Sequence, residues 1–301
     1  VKNPKIISLG EVLWDLFPEG ERFGGAPANF ACHAAFLGGE VSMISAVGDD
    51  SRGREALNIL RSYGIDVTLM QVVPDAATGT VGIELDSNGK PTFTIHEGSA
   101  WDQIDWNEKL ESRVKDADAV YFGTLGQRSE ISRNTIRRLL KAASEIPRVL
   151  DINLRRPFFD ASMLRESVQL ASILKLSDDE LATVCEALEI DTSGSPETMI
   201  RQIRDQQQLD LVIMTRGAEG ALLATPNGLV EQPGIATTVV DTVGAGDSFT
   251  AAFLVGMLHG EPHDRNLQNA CAVAAAVCSH AGAVPVIHAD SVRVPTARSK
   301  S

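Results

Sequence analysis

Two glycine-rich runs hold the residues whose types and spacing suit chemistry. The first, Thr237-Thr-Val-Val-Asp241-Thr-Val-Gly-Ala-Gly-Asp247, passes from a strand-like stretch into a glycine turn. The apolar helical pattern Ser248 to Leu258 follows it. Gly244 and Gly246 lack a Cβ, so the amides of Gly244, Ala245, Gly246 and Asp247 can approach a ligand closely. The following helix adds unpaired N–H groups and the positive end of its dipole. Together they make an anion hole, best used where negative charge builds during reaction, as on a phosphoryl group in transfer. Asp247 at its mouth is placed to accept the proton of an attacking hydroxyl. A helix start should favour the charged carboxylate and make it a weak base, which a late proton transfer tolerates. The same aspartate also suits a plain helix cap.

The second run, Gly24-Gly-Ala-Pro-Ala-Asn29, opens the helical stretch Phe30 to Leu37, which Gly38-Gly39 ends. Pro27 fits a first helical turn, and Gly24-Gly25 lets backbone come close to a ligand. Asp15 and Asn29 offer acceptors and a donor for hydroxyls, although taken singly such residues are more often a solvated loop carboxylate and a helix-start amide. There is no Gly-x4-Gly-Lys-Ser/Thr, and Gly244-x-Gly246 lacks the third glycine of a dinucleotide-binding run.

The elements that must position these runs alternate along the whole chain. Short β-branched or apolar runs at Ile6 to Leu9, Val41 to Val47, Ala119 to Phe122, Arg148 to Ile152, Ile173 to Leu176 and Leu211 to Thr215 are separated by helical patterns. That reads as an α/β fold of three layers, α/β/α, with a mostly parallel central sheet. Thr78 to Ile95 breaks the rhythm, with alternating apolar residues on both sides of Asn88-Gly89. It predicts a hairpin outside the main sheet, joined by Val12 to Arg22. No repeat or linker is visible, so residues 1–301 are expected to form a single domain, with a frayed tail after Val294.

Composition narrows the function. The 301 residues are 44% hydrophobic and 22% charged, ordinary for a globular protein, with a formal net charge of -13. No Lys/Arg cluster offers a surface to nucleic acid. An acidic protein must hold a polyanion with local amides or a divalent cation. Cys32, Cys185, Cys271 and Cys278 show neither disulfide nor zinc spacing. With no signal-peptide layout and no membrane-length apolar run, a cytoplasmic protein is expected.

The two runs, about 215 residues apart, together resemble the paired signatures of the ribokinase-like (PfkB) sugar kinases. Gly10-Glu-Val-Leu-Trp-Asp15, Val47-Gly-Asp-Asp50, Asp151-Ile-Asn-Leu-Arg155, Lys175-Leu-Ser-Asp-Asp-Glu180 and Thr215-Arg-Gly-Ala-Glu-Gly220 fall in the family's order. Gly-Ala-Pro-Ala-Asn and Ser99-Ala-Trp-Asp102 resemble the bacterial fructokinases most.

The resemblance implies an ATP-dependent sugar kinase, with fructose phosphorylated at its 6-hydroxyl. It also admits a 2-keto-3-deoxygluconate or nucleoside kinase, or a sensor that binds without turnover. Asp247 would be the base. Asp15, Gly25, Asn29, Asn153, Arg155 and Gln127 would face the sugar. Thr215, Gly217 and Gly220 would border ATP, with Ala272 to Cys278 against the adenine. Glu180 would organise Mg2+ through water. Asp241 would help bind a monovalent cation such as K+, with carbonyls from His280 to Ala283. Residues of about 12–22 and 78–99 would form a lid that excludes water. His96 within it stays open as a surface residue or a substrate contact. Relatives often dimerise through this lid, and Val81, Ile83 and Phe93 would supply an apolar face, although the alternation equally suits a lid over the chain's own active site.

Overall fold

The computed structural model describes residues 2–85 and 91–286. The first strands are β1 (Lys5–Leu9), β2 (Leu13–Phe17), β3 (Gly20–Gly24), β4 (Glu40–Ile44), β5 (Ala46–Gly48) and β6 (Gln71–Val73). Next come β7 (Gly79–Leu85), β8 (Pro91–Ile95), β9 (Ala119–Gly123) and β10 (Arg148–Asp151). β11 (Ile173–Ser177), β12 (Leu211–Thr215), β13 (Ala221–Thr225) and β14 (Gly228–Gln232) complete the strands. The helices are α1 (Ala26–Phe36), α2 (Ser51–Ser62), α3 (Glu108–Lys115), α4 (Glu130–Ala142) and α5 (Ala161–Leu170). Then follow α6 (Asp178–Ala187), α7 (Pro196–Gln206), α8 (Ala245–Leu258) and α9 (His263–Cys278).

The main sheet has the order β14-β13-β12-β11-β10-β9-β1-β4 and is parallel from β4 to β12. Its strands are apolar on both faces because both are covered. Ile6 packs with Phe30 of α1, Leu60 of α2, Phe253 of α8 and Val273 of α9. Ile7, its neighbour, points the other way, into the core that holds Leu110 of α3, Leu139 of α4, Leu164 of α5, Leu181 of α6 and Ile200 of α7. This is the expected three-layer arrangement.

Helix starts follow local chemistry. The side chains of Asp50, Asn107 and Asp160 accept the amides of Gly53, Leu110 and Met163, one helical turn ahead. Pro27 stands in the first turn of α1.

Two expectations change. Val41 to Val47 is two strands: β4 joins the main sheet, whereas β5 leaves it to pair with β6 in parallel. The antiparallel β13 and β14 extend the sheet; their signal was Asn227-Gly228 between two apolar runs.

The predicted hairpin strands are present as β7 and β8, antiparallel, in a second sheet of order β3-β2-β7-β8. Its turn, Asn88-Gly89, and the tail after Val294 lie outside the described residues. Val81 and Ile83 are buried with Leu13, against Phe17 and Ile95, so they do not form a free face; Phe93 is exposed. No helix among the described residues is long and apolar enough to cross a membrane.

Candidate active site

The two glycine-rich runs meet at the carboxyl ends of the parallel strands, the edge where open α/β sheets bind ligands. Asn29, in the first turns of α1, donates from Nδ2 to Oδ2 of Asp247 at 2.9 Å. Asp247 lies in the first turn of α8 and is 7% exposed. Gly244 caps that helix with φ 78°, in the left-handed region where glycine carries no steric penalty. The amides of Gly244, Gly246 and Asp247 have no backbone acceptor among the described residues, while Ala245 donates to Thr242 at 3.3 Å. The hole therefore has three free amides rather than the expected four.

Asp247 departs from the sequence expectation in one respect. Burial raises its pKa to about 6, with Asp151 adding to the shift, against the hydrogen bond from Asn29 and the charges of Lys175 and Arg155. Desolvation thus outweighs the helix start, and the carboxylate is a better base than an exposed aspartate.

Beneath the hole lies a pair that sequence reasoning missed. Lys175 Nζ and Asp151 Oδ1 meet at 3.0 Å, both buried, and Asp151 also accepts from Thr250 Oγ1. A Cβ on Gly246 would stand 3.0 Å from Lys175 Nζ. Burial lowers the lysine pKa, but the carboxylates of Asp151 and Glu180 outweigh it and hold the ammonium charged. The signal was a lysine inside the apolar run Ile173-Leu-Lys175-Leu.

On the side of the small sheet, Asp15 on β2 is half-buried, its pKa raised to about 6 by burial against the pull of Arg155 and Arg22. Its carboxylate covers Gly24, where a Cβ would lie 2.9 Å from Oδ2. Gly25 has φ 106° and lies against the Glu11 carbonyl. Glu11, within the Gly10 to Asp15 run, is a residue that sequence reasoning missed. It is buried, its Oε2 lacks a partner, and burial raises its pKa to about 7, with Asp247 and Arg155 within electrostatic range.

Asn153 is half-buried with φ 43°, and the exposed Arg155 donates to the Leu154 carbonyl at 3.0 Å. Glu180 positions that loop: Oε1 accepts the Leu154 amide at 2.7 Å, and Oε2 accepts Ser177 N and Oγ in a capping box. Gln127 is not brought to the site. It is fully buried, and its amide donates to the Gly123 carbonyl and Ser167 Oγ, both at 3.0 Å. His96 is exposed with Nδ1 2.6 Å from Thr80 Oγ1 on the small sheet.

At the far end, Thr215 closes β12 and donates to the Leu176 carbonyl at 3.4 Å. Gly217 has open space around it, whereas a Cβ on Gly220 would fall 2.0 Å from the Gln232 carbonyl. Val240 and Asp241 both donate to the Cys278 carbonyl at the end of α9. Val239, Val240 and Val243 stand exposed there, apolar residues that sequence reasoning missed. In α9, Val273 and Val277 are spent in the core. Asp241 accepts the amides of Val243 and Gly282, each at 3.0 Å, and Arg22 from β3 stands 3.9 Å from its Oδ2.

Residues 18–289 match the family described as pfkB family carbohydrate kinase. The chain belongs to that family. This pfkB kinase is 33% identical to a fructokinase of Klebsiella pneumoniae, over 86% of this chain and 87% of that protein. Among solved structures it is 29% identical to an uncharacterized sugar kinase from Pyrococcus horikoshii in complex with ATP, with a TM-score of 0.78. The match covers 93% of this chain and 94% of that one. The aminoimidazole riboside kinase from Salmonella enterica, solved with aminoimidazole riboside and an ATP analog, is 26% identical to the pfkB kinase with a TM-score of 0.76. That match covers 93% of this chain and 95% of the other.

Proposed function

We propose that this carbohydrate kinase transfers the terminal phosphate of ATP to a hydroxyl of a neutral sugar, with the 6-hydroxyl of fructose as acceptor. The observation that carries the reading is the Asn29–Asp247 hydrogen bond at 2.9 Å. It joins the acceptor-side helix to the base at the mouth of the anion hole. Asp247 takes the proton of the attacking hydroxyl, and the amides of Gly244, Gly246 and Asp247, backed by the Lys175 charge, meet the charge that grows on the phosphoryl oxygens.

Neutrality of the acceptor follows from the charge balance. Glu11, Asp15 and Asp247 all feel Arg155, while Lys175 is committed to Asp151. A sugar acid would add a carboxylate to three already drawing on Arg155, with Arg22 reaching only Asp15 among them. Hydroxyls instead donate to these carboxylates. Asp15, the amide of Gly25, Asn29, Asn153 and Arg155 hold the acceptor in this reading. The β3-β2-β7-β8 sheet closes over it as a lid drawn from the described residues of 12–22 and 78–99, within a single kinase domain.

Adenine lies on the apolar Val239, Val240 and Val243, with Thr215 and Gly217 bordering the nucleotide. Both oxygens of Glu180 already accept protein donors, which suits a hydrogen bond to metal-bound water better than direct ligation. Mg2+ on the ATP phosphates, when bound, neutralises charge there. The Asp241 oxygens and the Ala283 carbonyl are engaged by amides and by His33, with Arg22 also facing Asp241. That set does not fit K+ as it stands.

One observation favours a second reading. Phe17 and Ile95, only partly buried against Leu13, Val81 and Ile83, stand on the face of the small sheet that carries Asp15, which suits the base of a riboside. Purified protein with MgATP and a panel of fructose, ribose, 2-keto-3-deoxygluconate and ribosides decides between them by ADP release. Fructose is expected to be fastest, a faster riboside would favour the second reading, and silence across the panel would sink both.

A further inference from the structure

Asn29 and His33 stand one turn apart on α1 and project from the same face. Asn29 holds the Asp247 carboxylate. His33 is 3% exposed and sets Nε2 2.9 Å from the carbonyl oxygen of Ala283. A carbonyl only accepts, so the nitrogen facing it carries the proton and donates.

That carbonyl is pressed against the anion hole. A Cβ on Gly244 would fall 2.2 Å from the Ala283 oxygen, so the two backbones are in contact where the hole begins. The preceding residue, Gly282, donates its amide to Asp241 Oδ2 at 3.0 Å. Residues 282–283 are therefore held on one side by Asp241 and on the other by His33. Burying an imidazole among apolar helices costs desolvation that an aliphatic side chain would avoid, and the proposed reaction uses no histidine.

We propose that His33 is a positioning residue for phosphoryl transfer: it holds the Ala283 carbonyl behind Gly244 and so fixes the direction of the anion-hole amides. The role rests on the kinase reading above. α1 thereby sets two parts of the centre at once, the base through Asn29 and the hole through His33. Burial lowers the ring's pKa to about 4, so it remains a neutral donor at neutral pH.

The test compares His33→Leu and His33→Gln with the wild type at saturating MgATP, using the best acceptor of the panel. Leucine is expected to lower kcat about tenfold or more, because small displacements of catalytic groups are costly. The acceptor KM should stay within about twofold. Glutamine can present an N–H to the same carbonyl and should recover much of the loss. A leucine variant at wild-type kcat, or a glutamine variant as slow as leucine, overturns the proposal.

A nitrogen NMR measurement on wild type covers the case in which leucine prevents folding. The ring should carry its proton on Nε2, with a resonance that moves when a magnesium–ATP analogue binds. The opposite tautomer, or a resonance that does not move, contradicts the role. A wild type inactive on every sugar would count against the kinase reading, and this resonance would still decide the role of His33.

Discussion

Lys175 and Asp151 are register partners on adjacent parallel strands, and their charged groups meet at 3.0 Å beneath Gly246 with almost no access to solvent. Removing one partner leaves the other as an uncompensated buried charge. Lys175→Met is expected to cost about 3–5 kcal/mol of stability in denaturant unfolding. Lys175→Met with Asp151→Leu should recover much of that while kcat stays low, since the charge under the anion hole is still missing. Recovery of both together would contradict a catalytic contribution from the lysine.

Asn29 lowers the pKa of Asp247 through its hydrogen bond. Asn29→Ala should therefore shift the acid limb of the kcat/KM–pH profile upward from about 6, the value that Asp247 carries, and lower the plateau. An acid limb that does not move would separate Asn29 from the base.

Glu11 gives a stability prediction with a definite sign. Its pKa rises on folding from 4.5 to about 7, so the folded state holds the proton more tightly. The stability this contributes is fully present below about 4.5 and is lost as pH rises to about 7. Glu11→Gln stays neutral and should gain on wild type across that window, by up to about 3 kcal/mol, and then level off. Urea midpoints at several pH values check this, and a pH-independent difference would contradict it.

The glycine turn before α8 and the helix start after Gly24-Gly25 were legible in the sequence because glycine spacing and a helix start act locally. The Lys175–Asp151 pair, Glu11 and His33 were not, because their roles depend on which strands become neighbours. Gln127 misled for the same reason: its amide turned into the core toward Ser167. Val41 to Val47 reads as one strand by composition, yet β5 pairs with β6, a partner that local pattern does not reveal.

Gly217 and Gly220 separate nucleotide contact from backbone need. Gly220 has φ 94° and meets the backbone of Gln232 and Gly234, whereas Gly217, at φ 52°, has nothing near it. Gly220→Ala should lower thermal stability strongly. Gly217→Ala should cost only about 1 kcal/mol and act chiefly on the KM for ATP. Equal effects of the two on stability would contradict this division.

In the proposed reaction Asp247 is the base that activates the acceptor hydroxyl. Turnover by Asp247→Ala, measured beside calorimetric binding of the acceptor, tests this role most directly. kcat should fall by about two to four orders of magnitude while acceptor affinity largely survives; turnover near the wild-type rate would show that Asp247 is not the base.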